Sequence, residues 1–249
     1  MKISRRDWQR FTRRLAAVDQ AAAAAMQVWM TANPTATDAQ IEAAAYAICV
    51  PYGEASAELS CLMYDAIGVA EGVILPPAEP APVATYQETI KAVRGTMKNL
   101  DNTVPATVGR LVKQAGADTM LQNAKRDGAE FAWIPVADTC PFCLMLASNG
   151  WQAAGPKTMK GGHAEHIHAN CDCTYAVRHS SKTQVGGYDP EAYYDRLVDA
   201  DPGGSWKDRV NALRREEYQA NKDEINEQKR IAYRARVERE KAAKEAAET

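Results

Sequence analysis

Apolar side chains recur at helical spacing over most of this chain. Behind Ser4-x-x-Asp7, a variant of the capping box, Trp8, Phe11, Leu15 and Val18 form one stripe. An alanine run at residues 21–25 carries that helix towards Trp29, and Asn33-Pro34 ends it. Thr37-x-x-Gln40 caps a second helix, predicted to reach about Cys49 and to stop before Pro51, whose ring disfavours a helical residue ahead of it. A third is expected from near Gly53, carrying Ala57, Leu59, Cys61, Leu62, Tyr64 and Ile67. Two more are predicted over about 83–100 and 105–125, the latter with Thr103 as cap, Pro105 in its first turn and Asp127-Gly128 as its stop.

The period changes at Glu130. Residues 130–136 read as a short strand with Pro135 placing it at an edge, and 174–178 read as a second. Between them, 144–148 make a short helix turned off by Asn149-Gly150. A turn at 186–190 leads to a short helix over 191–198, and Pro202-Gly203-Gly204 breaks the chain again. From Ser205 to Thr249 the pattern is one long charged helix with few apolar positions (Val210, Leu213, Tyr218, Ile225, Ile231, Tyr233, Val237). Such a helix lies along a partner or projects.

These elements divide the chain into a helical region over 1–75, a proline-rich linker over 76–82 and a second helical region over 83–128. An α+β module over 129–185 and a turn with the long helix over 186–249 complete it. Abundant alanine and only 7% aromatics favour helices over sheets. At 249 residues and a net charge of -2, the chain is long enough for a sizeable core and nothing global demands a nucleic-acid partner. One local exception is Arg5, Arg6, Arg10, Arg13 and Arg14, which lie largely off the first apolar stripe. They make either a face for DNA or an acidic partner, or the solvated side of a packed helix. No apolar run of about 18 residues marks a transmembrane helix, and no apolar segment follows the charged start as in a signal peptide. An unexported protein with reduced cysteines is expected.

Chemistry concentrates in residues 138–173. Cys140 and Cys143 are spaced C-x2-C, and His168, Cys171 and Cys173 form a second cluster at the far end of a loop rich in glycine, lysine and histidine. Zn²⁺ takes four sulfur or nitrogen ligands in a tetrahedron, and a structural site closes all four. Five ligands are on offer here, so which four bind stays open. A disulfide or redox pair is the alternative, since C-x2-C after a strand and before a helix can be redox-active, and ordinary core cysteines are another. Four of the six cysteines and all four histidines crowd between Cys140 and His179, which favours metal. Cys49 and Cys61 sit in alanine-rich helices and read as buried free thiols. The expected fold is therefore mainly α with a small zinc-tied α+β knuckle, a helical N-terminal body and a long C-terminal helix.

The order strand, Asp138-Thr-Cys140-x2-Cys143-x2-Leu146, variable loop, His168-x2-Cys171-x-Cys173, strand resembles the Mu F-like minor head proteins of tailed bacteriophages. The resemblance covers about 131–177, a fifth of the chain. It implies a structural component of the phage virion, at or near the portal vertex, acting in head assembly or in genome packaging and delivery. Portal and capsid proteins would be its partners, with packaged DNA and further copies of itself as additional candidates, and no membrane. It would be assembled in the host cytoplasm and end in the phage head. Position by position, Asp138, Cys140, Cys143, His168, Cys171 and Cys173 match the family motif. The loop departs from it, because Gly162-His163-Ala164-Glu165-His166 replaces the commoner proline-bearing approach, and His163 or His166 then competes with His168 as ligand.

Catalysis is not expected. A zinc deaminase needs His-x-Glu ahead of Pro-Cys-x2-Cys, whereas His163-Ala164-Glu165 follows the C-x2-C here. A nuclease-like use of His163, Glu165, His166 and His168 is the remaining enzymatic reading. Nucleophile elbows and phosphate-cradling glycine loops are missing from the sequence. A zinc-dependent DNA-binding module is the main alternative, with Lys157, Lys160, Arg178 and Lys182 flanking the cysteines but no aromatic platform between them.

Overall fold

A computed structural model describes residues 2–98, 103–135, 139–159, 167 and 173–247. The chain opens with a short strand, β1 (Lys2–Ile3), and enters a long helix, α1 (Arg5–Ala32). Ser4 caps α1: its Oγ accepts the Asp7 N–H at 3.1 Å and its hydroxyl donates to the Asp7 carboxylate at 2.6 Å. Trp8, Phe11 and Leu15 are buried as their spacing predicts, and Asn33 ends the helix.

The second helix corrects an expectation. α2 (Asp38–Glu71) starts at the Thr37/Gln40 capping box but runs straight through Pro51, so the two predicted helices are one. A helix-interior proline costs about 3 kcal/mol through its lost hydrogen bond and ring clash. What offsets it is a continuous buried face on both sides of the break: Ala45 and Cys49 before it, Gly53, Ser56, Ala57 and Ser60 after it. Pro51 itself points to solvent. Gly72, at φ 71°, closes α2 in the left-handed conformation that glycine takes at least cost.

The proline-rich segment then runs extended across the helices. Its four prolines donate nothing, and each remaining N–H over 76–82 has a side-chain acceptor. Ala78 donates to Asp65 Oδ1 at 2.9 Å, Glu79 to Asn123 Oδ1 at 3.0 Å, and Ala81 to Thr119 Oγ1 at 3.0 Å. Asn123 returns a bond from Nδ2 to the Glu79 carbonyl, and the Arg126 guanidinium holds the carbonyls of Pro76 and Pro77. α3 (Tyr86–Lys98) follows, with Thr85 and Glu88 exchanging bonds at its start, and then α4 (Val104–Arg126), capped by Thr103. α4 is the centre of the body and packs against α1, α2 and α3. The α2–α4 approach is close at Gly116, where a Cβ would stand 2.6 Å from Ser56 Oγ and 2.9 Å from Ser60 Oγ.

Beyond Asp127 the chain forms β2 (Glu130–Ile134), α5 (Pro141–Ser148), β3 (Gln152–Ala153), α6 (Pro156–Met159) and β4 (Thr174–Arg178). Contrary to the edge position expected from Pro135, which lies just past the strand's end, β2 is the middle strand, antiparallel to β3 and β4, with Ile134 opposite Thr174 and Glu130 opposite Arg178. β5 (Gln184–Val185) pairs in parallel with β1, tying the start of the chain to the end of the sheet region. α7 (Pro190–Ala200) and α8 (Trp206–Ala247) complete the described chain. Leu197, Val210 and Leu213 pack on Leu144 of α5, while from Arg214 onward the described side chains of α8 are half-buried or exposed. At 1.5 Å per residue, α8 is about 60 Å long.

The fold is thus mainly helical with a small antiparallel sheet, and the described residues do not display the expected zinc-tied knuckle. The two short strands do not need a metal to bury them. Phe131, Ala132, Trp133, Ile134, Tyr175, Ala176 and Val177 are all buried, and they share one core with Trp8, Phe11 and Leu15 of α1, Tyr64 and Ile67 of α2 and Met120 of α4. The sheet is held by that core and by edge-on stacking of Tyr175 against Trp133 and Phe131, with ring centroids 4.3 and 5.7 Å apart.

Candidate metal centre and the polar network behind it

The β2–β4 register decides where the cysteines go. Because Ile134 faces Thr174, the chain leaving β2 towards Cys140 and the chain entering β4 from Cys173 meet at one end of the sheet. Motif halves separated by a long loop in sequence therefore leave from neighbouring strand ends. Cys143 and Cys173 are buried in the same core cluster, and Cys140 packs against it half-buried.

The C-x2-C segment occupies the first turn of α5. Cys140 is the N-cap, Pro141 the first helical residue, and Cys143 sits three residues beyond the cap. The Cys140 sulfur accepts the Cys143 N–H at 3.4 Å, doing what a serine or aspartate cap does elsewhere. Pro141 fits because an N–H at that position has no helical partner. A sulfur in the first turn also sits at the positive end of the helix dipole, which favours the thiolate that binds metal. Glu217 of α8 lies near this turn, and partial desolvation there raises its carboxyl pKa, against the pull of Arg196 and Arg214.

Ile167, next in sequence to the far half of the motif, is anchored from α4. Ile167 is buried; its N–H donates to Gln114 Oε1 at 2.8 Å and its carbonyl accepts from Arg110 Nη1 at 3.3 Å. Burial lowers the Arg110 guanidinium pKa. His168, Cys171, Asp138 and the competing His163 and His166 lie outside the described residues. Among the described residues no group of three or more His, Cys, Asp or Glu side chains converges as a metal cage. The donor set present, a capping thiol, a second thiol in the same turn and a third at the strand start, has the soft sulfur chemistry that suits zinc. Of the other cysteines, Cys49 is a buried thiol pushed up to about 12 by desolvation, which keeps it protonated and inert.

A second polar cluster was not anticipated from the sequence. His179, just past β4, places Nδ1 2.8 Å from Glu71 Oε2 at the end of α2, and its backbone N–H donates to the same oxygen at 2.8 Å. Its Nε2 lies 3.1 Å from the Tyr64 hydroxyl, which donates to Asp127 Oδ2 at 2.8 Å. Asp127 is clasped by both arms of the Arg126 guanidinium at 2.8 Å. Glu71 and His179 side chains are 1% and 6% exposed, so this network stitches α2, α4 and β4 together inside the protein. Its members are 63 to 115 residues apart for every contact but Arg126–Asp127, and no local pattern announces such pairings.

Sequence comparison adds one match. The family described as VG15 protein matches residues 2–200, from β1 through the whole of α7, and stops short of α8. No curated protein and no solved structure matches the chain. With four fifths of its length matched, including the body, the sheet and both halves of the cysteine motif, the chain belongs to the VG15 protein family and is a phage protein.

Proposed function

We propose that this chain is a non-catalytic minor head protein of a tailed phage, of the Mu F-like kind. It associates with portal or capsid protein and acts in head assembly or in genome packaging and delivery. In this reading four of Cys140, Cys143, His168, Cys171 and Cys173 hold a structural zinc. The observation that carries it is the Ile134–Thr174 register, which delivers both halves of the motif to one end of the sheet. The family membership supports the phage setting. No described helix is long and apolar enough to cross a membrane.

The zinc has a narrower role here than holding the sheet together. A closed tetrahedral site would fix the long loop between α6 and β4 relative to α5, at the rim from which α8 departs. The outer part of α8, with Tyr218, Ile231, Tyr233 and Val237 exposed, is the surface we assign to contact with the shell or portal. The test is to purify heads from a phage whose copy of this gene is intact, truncated after residue 213, or absent. Co-purification of the intact chain with heads, and its loss on truncation, is the expected result. Heads that never contain the chain, and that form normally without it, would overturn the reading.

A further inference from the structure

The first turns of α1 carry a charged face that head assembly does not account for. Arg6, Arg10, Arg13 and Arg14 are all exposed. At 100° per residue they fall within an arc of about 100°, opposite the buried stripe of Trp8, Phe11 and Leu15. Together with Ser4 and Asp7 they form one open, polar stretch of surface. Among the described residues none of the four makes an ion pair. The one acid among them, Asp7, is engaged by the Ser4 cap. Arg5 is set apart, its side chain lying along Gly187. A chain with net charge -2 thus concentrates unpaired positive charge at one helix end.

We propose that this arginine face binds the phosphate backbone of duplex DNA, without reading its sequence. Guanidinium forks match phosphate oxygens, as they do carboxylates, two at a time. Two features favour duplex DNA over an acidic protein or a single strand. The stripe spans about 12 Å along the helix axis, comparable to the width of the B-DNA major groove. Large exposed apolar side chains occur elsewhere on the protein but not on these turns, so the face lacks the aromatic anchors of a protein interface and the stacking platform of a single-strand binder.

The test measures binding of the full-length chain to a labelled duplex of arbitrary sequence across a salt series. Four phosphate contacts give a slope of log affinity against log salt of about -3.6, a loss of roughly 150-fold between about 50 and 200 mM. Each of Arg6→Gln, Arg10→Gln, Arg13→Gln and Arg14→Gln reduces the slope by about 0.9, and the quadruple variant loses duplex binding. These side chains are exposed, so unchanged circular dichroism and melting accompany the loss. Two results overturn the proposal: no duplex binding at about 50 mM salt, or single variants whose affinity and slope equal those of the unsubstituted chain. Displacement of DNA by polyglutamate at matched charge concentration would also overturn it, in favour of an acidic protein partner.

Discussion

Nδ1 of His179 lies 2.8 Å from the carboxylate of Glu71, joining the end of the central sheet to the end of α2 across 108 residues. The same carboxylate accepts the His179 backbone N–H, so a single acid fixes both the ring and the chain direction as β4 ends. Removing it leaves buried donors without a partner. Glu71→Ala is expected to destabilise the protein by about 1–3 kcal/mol, in the range for leaving buried hydrogen-bond donors without a partner. Urea unfolding measures this directly, and a loss below about 0.5 kcal/mol would show the contact to be idle.

The network also sets an acid limit. Burial pushes the Glu71 carboxyl up, but the nearby Thr183 hydroxyl and the hydrogen bonds from the backbone and ring of His179 outweigh it, and the net shift is downward. Asp127 is lowered too, first by the Arg126 hydrogen bonds, against burial, and then by Tyr64. A carboxyl with a depressed folded pKa contributes stability that is fully present above its unfolded value, near pH 4, and is lost as pH falls through the folded value. Melting temperature should therefore be flat from about pH 7 to 5 and fall below about pH 4. Glu71→Gln should flatten that fall, which a pH series of thermal melts would reveal.

Much of the architecture was legible in the sequence because its signals are local. Ser4, Thr37 and Thr103 each cap the helix that follows them, and the change of period at Glu130 marks β2 within two residues of its observed end. Pro51 misled because its cost is local whereas the face that offsets it is tertiary. The β1–β5 pair and the strand β3 were too short to carry a pattern. At the site, the ligand positions could be read from spacing, but the placement of Cys140 as a helix cap could not. Nor could the apolar packing of the sheet, which removes the need for a metal to hold it.

Pro51 offers a stability test of that account. If the buried face carries α2 through the proline, restoring the missing N–H should help rather than harm. Pro51→Ala is expected to raise stability by about 1–3 kcal/mol. An unchanged or lowered melting temperature would mean that the ring has a packing role in the protein.

At Gly116 the expectation runs the other way. A methyl group there meets Ser56 Oγ at 2.6 Å and its carbonyl oxygen at 3.3 Å. Gly116→Ala should cost about 1–2 kcal/mol even though alanine is the better helix former. Adding Ser56→Ala should recover part of the loss, which a double-mutant cycle by urea melts would resolve.

Gln114 links the helical body to the loop. Gln114→Ala leaves the buried Ile167 N–H without its acceptor, at a cost of about 1–3 kcal/mol. If that loop presents metal ligands, the variant should also lose zinc to a chelator faster than the unsubstituted chain. Equal release rates would detach Ile167 from the metal.

The most direct test of the central claim is metal content joined to thiol reactivity. The purified chain is assayed for zinc, and its cysteines are titrated before and after chelation. About one zinc per chain is expected, with the thiols of the 140–173 region protected until the metal is removed and with the helical body folded throughout. A metal-free chain whose Cys140 and Cys143 react at once, or are found oxidised, would contradict the metal centre.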